Sequence, residues 1–512
     1  MDPPTSGGSA AVMWLAAAAA LLLTIAVLKA LRKRDDTSNK HAQGKPAGMA
    51  PAPPVLHRVA LARFALAVAR NGPLEAFRKQ QAKLGSVFTA RLLGGLFEVT
   101  FLVGPEVSHH FYMGPESDIN PGNIYDFTVP MLGPEVGYAV DLATRGDQKR
   151  FYWDVLKTSS IKASMPAMIE EVEAYFLRWG EEGTVDFKHE MEELLILIVS
   201  RCLLGREVRE RMLGEVRTLF RHLEDGLGLI SILFPNLPTA AHRRRDSAHM
   251  RLREIFTEVI KSRRNSGRVG SDETDDVLQR LINSKHRDGR SVSDVEVVGL
   301  LLSLVFAGKH TSSSTTIWTG VHLLSNPNYL TACVNEQDLL LPTHNGANHH
   351  QIDYDVVQKM STLHCCVKEA LRLHPPVPSL VRQAHKPFTV QTKEGIEYTV
   401  PKGHTVMSTI LMNHHLPHVY KDPYIYDPLR FMAGREEDKV AGPLSFLSFS
   451  AGRHSCMGEA FAYTQIKVIW SYLLRNFDLK MESPVPGINW STVVPMPKGK
   501  VMVSYRKRQL ID

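Results

Sequence analysis

Phe449-Ser-Ala-Gly452-Arg453-His454-Ser-Cys456-Met-Gly458 is the stretch that decides how this chain is read. A single cysteine stands between two glycines at fixed offsets, with a phenylalanine at the head and two cationic-capable residues in the turn. The glycines permit tight folding and close approach of the backbone to a flat ligand, and backbone N–H groups so arranged can point at the sulfur. A helix is expected to start just after Gly458, and donors plus helix end favour thiolate over thiol. Such a sulfur suits the axial position of a haem iron, where it pushes electron density onto the metal and favours O–O cleavage. A buried structural cysteine is the plainer alternative. Five fixed positions within ten residues weigh against it.

Upstream, Val292–Leu324 reads as one long, largely apolar helix carrying Ala307-Gly-Lys309-His310-Thr311-Ser312. Small residues followed by hydroxyls in mid-helix weaken the regular ladder and leave space for small molecules. Glu369-x-x-Arg372 places opposite charges on one helix face. That spacing is weak alone and gains weight from Leu371-Arg-Leu-His-Pro-Pro376 and Asp427-Pro-Leu-Arg430-Phe431.

Taken together these segments resemble the cytochrome P-450 haem-thiolate monooxygenases, and within them the sterol 14α-demethylases, from about Pro51 to the C-terminus. His454, the helix Glu459–Trp470 and the Ala-Gly-x-His-Thr-Ser pattern mark the sterol branch; Pro235–Arg245 and Arg435–Asp438 look like its plant members. The resemblance implies a mostly α fold with a small β portion, and haem b held by Cys456 as the axial iron ligand. Phe449, Gly452, His454, Arg382, Arg145, Tyr125 and Tyr138 are the further cofactor-binding candidates. Thr311 is expected to hold iron-bound oxygen and guide protons, with His310 replacing the acidic residue of most relatives. Glu369, Arg372 and Arg430 are expected to form a buried network that locks the cysteine loop. Tyr125, Phe127, Leu132, Tyr138 and Ala307 are expected to line the substrate pocket.

That pocket-lining stretch departs from the plant pattern. Leu132 stands where Phe is usual, Glu135 where Gly is, Gly137 where Val is and Ala139 where Asp is; Lys309 and Val377-Pro-Ser379 are also unusual. With the oxygen-activating residues kept, the implied function is oxidation of a sterol or a pentacyclic triterpenoid. An orthodox obtusifoliol 14α-demethylase is the near alternative and a non-catalytic haem-thiolate sensor or carrier the distant one. A membrane adaptor without haem would make the Cys456 loop accidental. No Gly-x-Gly-x-x-Gly fingerprint is present, so NADPH electrons are expected from a separate cytochrome reductase, with O2 as co-substrate.

The 512 residues, net charge of +7 and ordinary composition suit a large globular protein near an anionic membrane, and no nucleic-acid module is recognisable. Five irregularly spaced cysteines argue against a disulfide framework. Ala10–Leu28 is apolar and long enough to cross a bilayer, and Lys29, Arg32, Lys33 and Arg34 follow it. This predicts an uncleaved transmembrane anchor (1–34) in the endoplasmic reticulum, a spacer (35–54) and one cytosolic catalytic domain (55–512). Strands are expected at Val87–Leu93 and Glu98–Val103 around Gly94-Gly95, within Phe388–Val400, and at Lys500–Tyr505 after the Pro497-Lys-Gly499 turn. Helices should dominate Lys149–Arg264 with breaks at Gly205 and Pro235–Pro238. His414, His415 and His418 lack partners at metal-ligand spacing and are read as structural, as are His344, His349 and His350.

Overall fold

The computed structural model describes residues 50–508 apart from 57, 93–96, 228–230, 233, 266–275, 343–351 and 493. The anchor at 10–28, the Gly94-Gly95 turn and His344, His349 and His350 lie outside the described residues. The chain forms two compact units, neither contiguous in sequence: 50–120 with Leu380–Met412, and Pro121–Ser379 with Asn413–Asp512.

The first unit is built on a six-stranded sheet whose neighbours run Val55–Leu56, Val87–Leu92, Phe97–Leu102, Thr405–Ser408, Leu380–Ala384 and Ile119–Asn120. Val87–Leu92 and Phe97–Leu102 pair antiparallel, as expected for a hairpin. Their inward rings, Phe88 and Phe101, stack 5.0 Å apart, and Phe101 meets Phe77 from the helix Pro73–Leu84 edge-on at 5.2 Å. Phe388–Gln391 and Glu397–Val400 form a second hairpin, with Gly395 at φ +80° in its turn.

The second unit is helical. Its axis is Asp294–Ser325, capped by Ser293, whose hydroxyl accepts from the Glu296 N–H, and begun with two acids that suit the positive helix end. The sequence is apolar on nearly every side because the helix is surrounded by Phe187–Val199, Ser361–Leu373 and Glu459–Asn476. Its length and hydropathy would suffice to cross a membrane, yet it forms the core of this unit, with Trp318 fully buried. Gly205 (φ +91°) ends the Phe187–Leu204 helical run, and the prolines at 235–238 precede the helix Ala240–Asn265.

Two strand expectations need correction. The C-terminal strand is Met502–Lys507, and the Pro497-Lys-Gly499 turn does not join it to a hairpin partner. It pairs instead with Phe477–Met481 and with Glu182–Asp186, a strand whose exposed, alternating residues carry little apolar signal. Met496–Pro497 pairs with Ile488–Asn489.

Candidate functional site

The cysteine loop is closed by its own backbone. The Cys456 N–H donates to the Phe449 carbonyl at 2.8 Å, and Ser450 (φ +61°) and Gly452 (φ +67°) turn the chain between them. Phe449 anchors the loop by packing on Tyr463, ring centroids 5.1 Å apart, from the helix that begins at Glu459. His454 ends the short turn Gly452–His454, and the neighbouring Arg453 carbonyl accepts from Lys149.

Cys456 opens to the outside, unlike the four other cysteines, which are buried. Surrounding protein pushes its thiol up, the Gly458 N–H pulls it down, and Glu459 pushes it up again. The net direction is up. A metal ion bound to the sulfur would displace the proton outright. An accessible soft donor with one N–H aimed at it therefore fits thiolate ligation of haem iron.

Behind the loop lies a buried charge network. Glu369, Arg372 and Arg430 are each 0 % exposed. Glu369 receives Arg372 Nε and Nη2 at 2.7 and 2.8 Å, Arg430 Nε at 3.0 Å and the Asp427 N–H at 3.0 Å. Arg430 continues to Glu437, which Arg435 also binds. The link to the cysteine is His414, which sequence reading had set aside in a loop. Arg372 Nη1 donates to the His414 carbonyl at 2.7 Å, and His414 Nε2 accepts the Leu447 N–H at 2.8 Å, two residues before Phe449. Its Nδ1 therefore carries the proton and faces the Arg372 carbonyl at 3.2 Å. Burial holds this imidazole well below its ordinary pKa, so it serves as a neutral acceptor. No spacing in the sequence announces such a bond to backbone.

On the long helix, Ala307 is exposed and Thr311 half-buried amid otherwise buried turns, which leaves one small open face. The Thr311 hydroxyl donates to the Ala307 carbonyl at 2.7 Å, leaving its oxygen lone pairs to accept. His310 points elsewhere. Its Nε2 lies 3.0 Å from Glu224 Oε1, which Lys309 Nζ also meets at 2.7 Å. Burial would raise the Glu224 carboxyl, but His310 and Lys309 beside it overcome this and hold it below the usual range. These three side chains line a polar cavity with Glu192, Arg217 and Ser313. Glu224 escaped the sequence reading because it lies far upstream on another helix, Leu213–Glu224.

The aromatic start of the expected pocket wall is a small stack: Tyr125 on Tyr138 at 4.7 Å, with Phe127 at 6.2 Å from Tyr125. Leu132 and Val136 lie against the long helix at Gly299, where a Cβ would come within 2.7 Å of the Leu132 carbonyl. Arg145 is occupied with this loop, donating to the carbonyls of Gly137, Tyr138 and Val140 at 3.0, 3.2 and 3.2 Å, its guanidinium 5.0 Å over the Tyr138 ring. The second unit thus holds every candidate except one. Arg382 belongs to the first unit, buried on the strand Leu380–Ala384, where it donates to the Phe111 carbonyl. Among the described residues no group of three or more His, Cys, Asp and Glu side chains is placed to hold a metal ion.

The cytochrome P450 family model matches residues 51–504. The chain is 48% identical to the obtusifoliol 14-alpha demethylase of Sorghum bicolor, over 86% of this chain and 88% of that protein. It is also 48% identical to the sterol 14-demethylase of Arabidopsis thaliana, with the same coverage of both chains. In fold it matches a retinoic-acid-bound cyanobacterial CYP120A1 with a TM-score of 0.76 and 21% identity, covering 90% of this chain and 100% of that one.

Proposed function

The chain belongs to the cytochrome P450 family, a monooxygenase with a cysteine-ligated haem, and on that premise we propose that it carries out sterol 14-demethylase-type oxidation of a polycyclic triterpenoid alcohol, preferring a pentacyclic ring system to a 14α-methyl sterol. The bound haem supplies oxygen activation. Cys456 would hold it through its sulfur, with the Gly458 N–H moderating charge there. Phe449 and Gly452 shape the loop, while His454, Arg382, Arg145, Tyr125 and Tyr138 are assigned to its carboxylates and edge. Thr311, its hydroxyl hydrogen committed to the Ala307 carbonyl, would accept a hydrogen bond from water beside the haem and so order the water that brings protons. His310 acts one step further out, facing Glu224 rather than touching oxygen. Tyr125, Phe127, Leu132, Tyr138 and Ala307 exclude water and orient the ring system.

The observation that carries the substrate assignment is Gly137. It sits at φ +65° in the pocket wall, a conformation that strongly disfavours a β-branched residue such as the valine usual there in plant sterol demethylases. The wall therefore follows a backbone course that valine would resist, while the cysteine loop keeps its full signature. The second reading, obtusifoliol 14α-demethylation, is favoured by the extent of identity to the sorghum enzyme.

Electrons are assigned to an NADPH–cytochrome reductase, and the location to the endoplasmic-reticulum membrane by a single N-terminal span, with one cytosolic catalytic domain at 55–512. Incubating the enzyme with reductase and NADPH, with obtusifoliol and β-amyrin in parallel, tests the assignment. Oxidised β-amyrin as the main product is expected; 14-desmethyl sterol as the main product would replace it with the second reading.

A further inference from the structure

Gln148 is a polar side chain in the buried stripe of the helix Leu142–Val155, in line with Phe151 and Val155, and only 2 % exposed. All of its amide is engaged. Oε1 accepts the Gly137 N–H at 2.9 Å, while Nε2 donates to the Glu135 carbonyl at 2.8 Å and to Glu296 Oε1 at 2.9 Å. A flipped amide would set N–H against N–H and oxygen against two oxygens, so the partners fix its orientation. Glu296 is itself held: its Oε2 lies 3.0 Å from His286 Nε2, and the other ring nitrogen faces Asp147 Oδ2 at 3.3 Å. His286, Glu296 and Asp147 are all buried.

We infer that Gln148 is a specificity-positioning residue, a clamp through which helix Leu142–Val155 and the Glu296 end of the long helix fix the course of residues 135–140 and so choose among polycyclic substrates. The inference rests on the proposed function in taking that loop as a pocket wall. Gln148 touches no substrate. It acts by holding the left-handed turn at Gly137, whose N–H goes to Gln148 and whose carbonyl goes to Arg145. Close packing of Leu132 and Val136 on Gly299 seats the start of the loop independently, so losing the clamp frees its second half without undocking the first. The stretch held by Gln148 and Arg145 carries Glu135, Gly137 and Ala139, three of the four positions at which this wall departs from the plant pattern.

The test compares wild type, Gln148→Leu and Gly137→Ala as full-length holoenzymes. A Cβ at residue 137 would meet nothing within 4 Å, so the alanine variant probes backbone conformation and not crowding. In Gln148→Leu, the carbon monoxide spectrum and imidazole affinity should be unchanged. The ratio of β-amyrin to obtusifoliol dissociation constants, read from the haem spin shift, should move about tenfold towards the sterol, as expected for lost hydrogen bonds in a buried site. Gly137→Ala should move it the same way. Hydrogen–deuterium exchange of a peptide spanning 133–141 should quicken in Gln148→Leu without any ligand present. Unchanged exchange there overturns the clamp whatever the substrate proves to be. An unmoved ratio in a fully haem-loaded variant of faster exchange overturns its role in specificity. A wild type that binds neither polycycle defeats the substrate reading, and the exchange measurement still decides the clamp.

Discussion

The network behind the cysteine and the loop across the pocket are held in opposite ways. Glu369, Arg372 and Arg430 are wholly buried, and each is bound by several partners, so no one bond sets its place. The 135–140 loop is half-buried or exposed apart from Val136, and its polar backbone is gripped by two side chains of a single helix, Arg145 and Gln148. The first region resists change because removing any partner strands a buried charge. The second can change course with one glycine. On the proposed reading, this contrast would let a chain keep its oxygen chemistry while its substrate changes.

The contrast breaks most visibly at Arg372. Arg372→Leu removes one of the two cations on Glu369, leaving Arg430 and the Asp427 N–H, and removes the donor to the His414 carbonyl, at a cost of about 3–5 kcal/mol. Haem content and the reduced carbon monoxide spectrum should be largely lost. A variant with full haem loading would mean that the network does not govern the cysteine loop.

Thr311→Ala should spare the fold, since it removes one hydroxyl bonded within its own helix, a loss of about 1 kcal/mol. Peroxide released per NADPH should rise several-fold while the substrate-induced spin shift persists. Unchanged coupling would place the proton route elsewhere.

The smallest effect concerns Lys467, on the helix that follows the cysteine loop, 3 % exposed and donating to the Val357 carbonyl at 2.9 Å. Burial pulls its pKa down to about 8 from 10.5. Between those values the unfolded chain binds more protons than the folded one, so this group makes stability rise with pH and withdraws it as pH falls through 8. The rise is at most about 3 kcal/mol. The difference in melting temperature between wild type and Lys467→Met should therefore shift in favour of wild type from pH 8 to pH 10. A constant difference would show that Lys467 titrates normally.

The same contrast explains what could be read in the chain itself. The cysteine loop and the long helix carry their chemistry in short, ordered spacings, while the Glu369–Arg372 pair is weak alone, and its partner Arg430, which the structure draws onto Glu369 across 61 residues, came from the resemblance. His414, Gln148 and Glu224 were illegible because their roles are bonds to backbone or to distant helices. A glutamine in an apolar stripe was the one available hint for Gln148. His310 was expected, by resemblance, to replace an acidic residue beside Thr311; neighbours on a helix point about 100° apart, and its ring turns to Glu224. The strand Glu182–Asp186 was missed because its partners, not its composition, make it a strand.

The division between a fixed chemical core and a substrate-setting wall is tested most directly by replacing the wall alone. In a protein carrying L132F, E135G, G137V and A139D together, haem content and the carbon monoxide spectrum should match wild type, while spin-shift titration should show preference passing from β-amyrin to obtusifoliol. A variant that keeps its haem and its original preference would contradict the account.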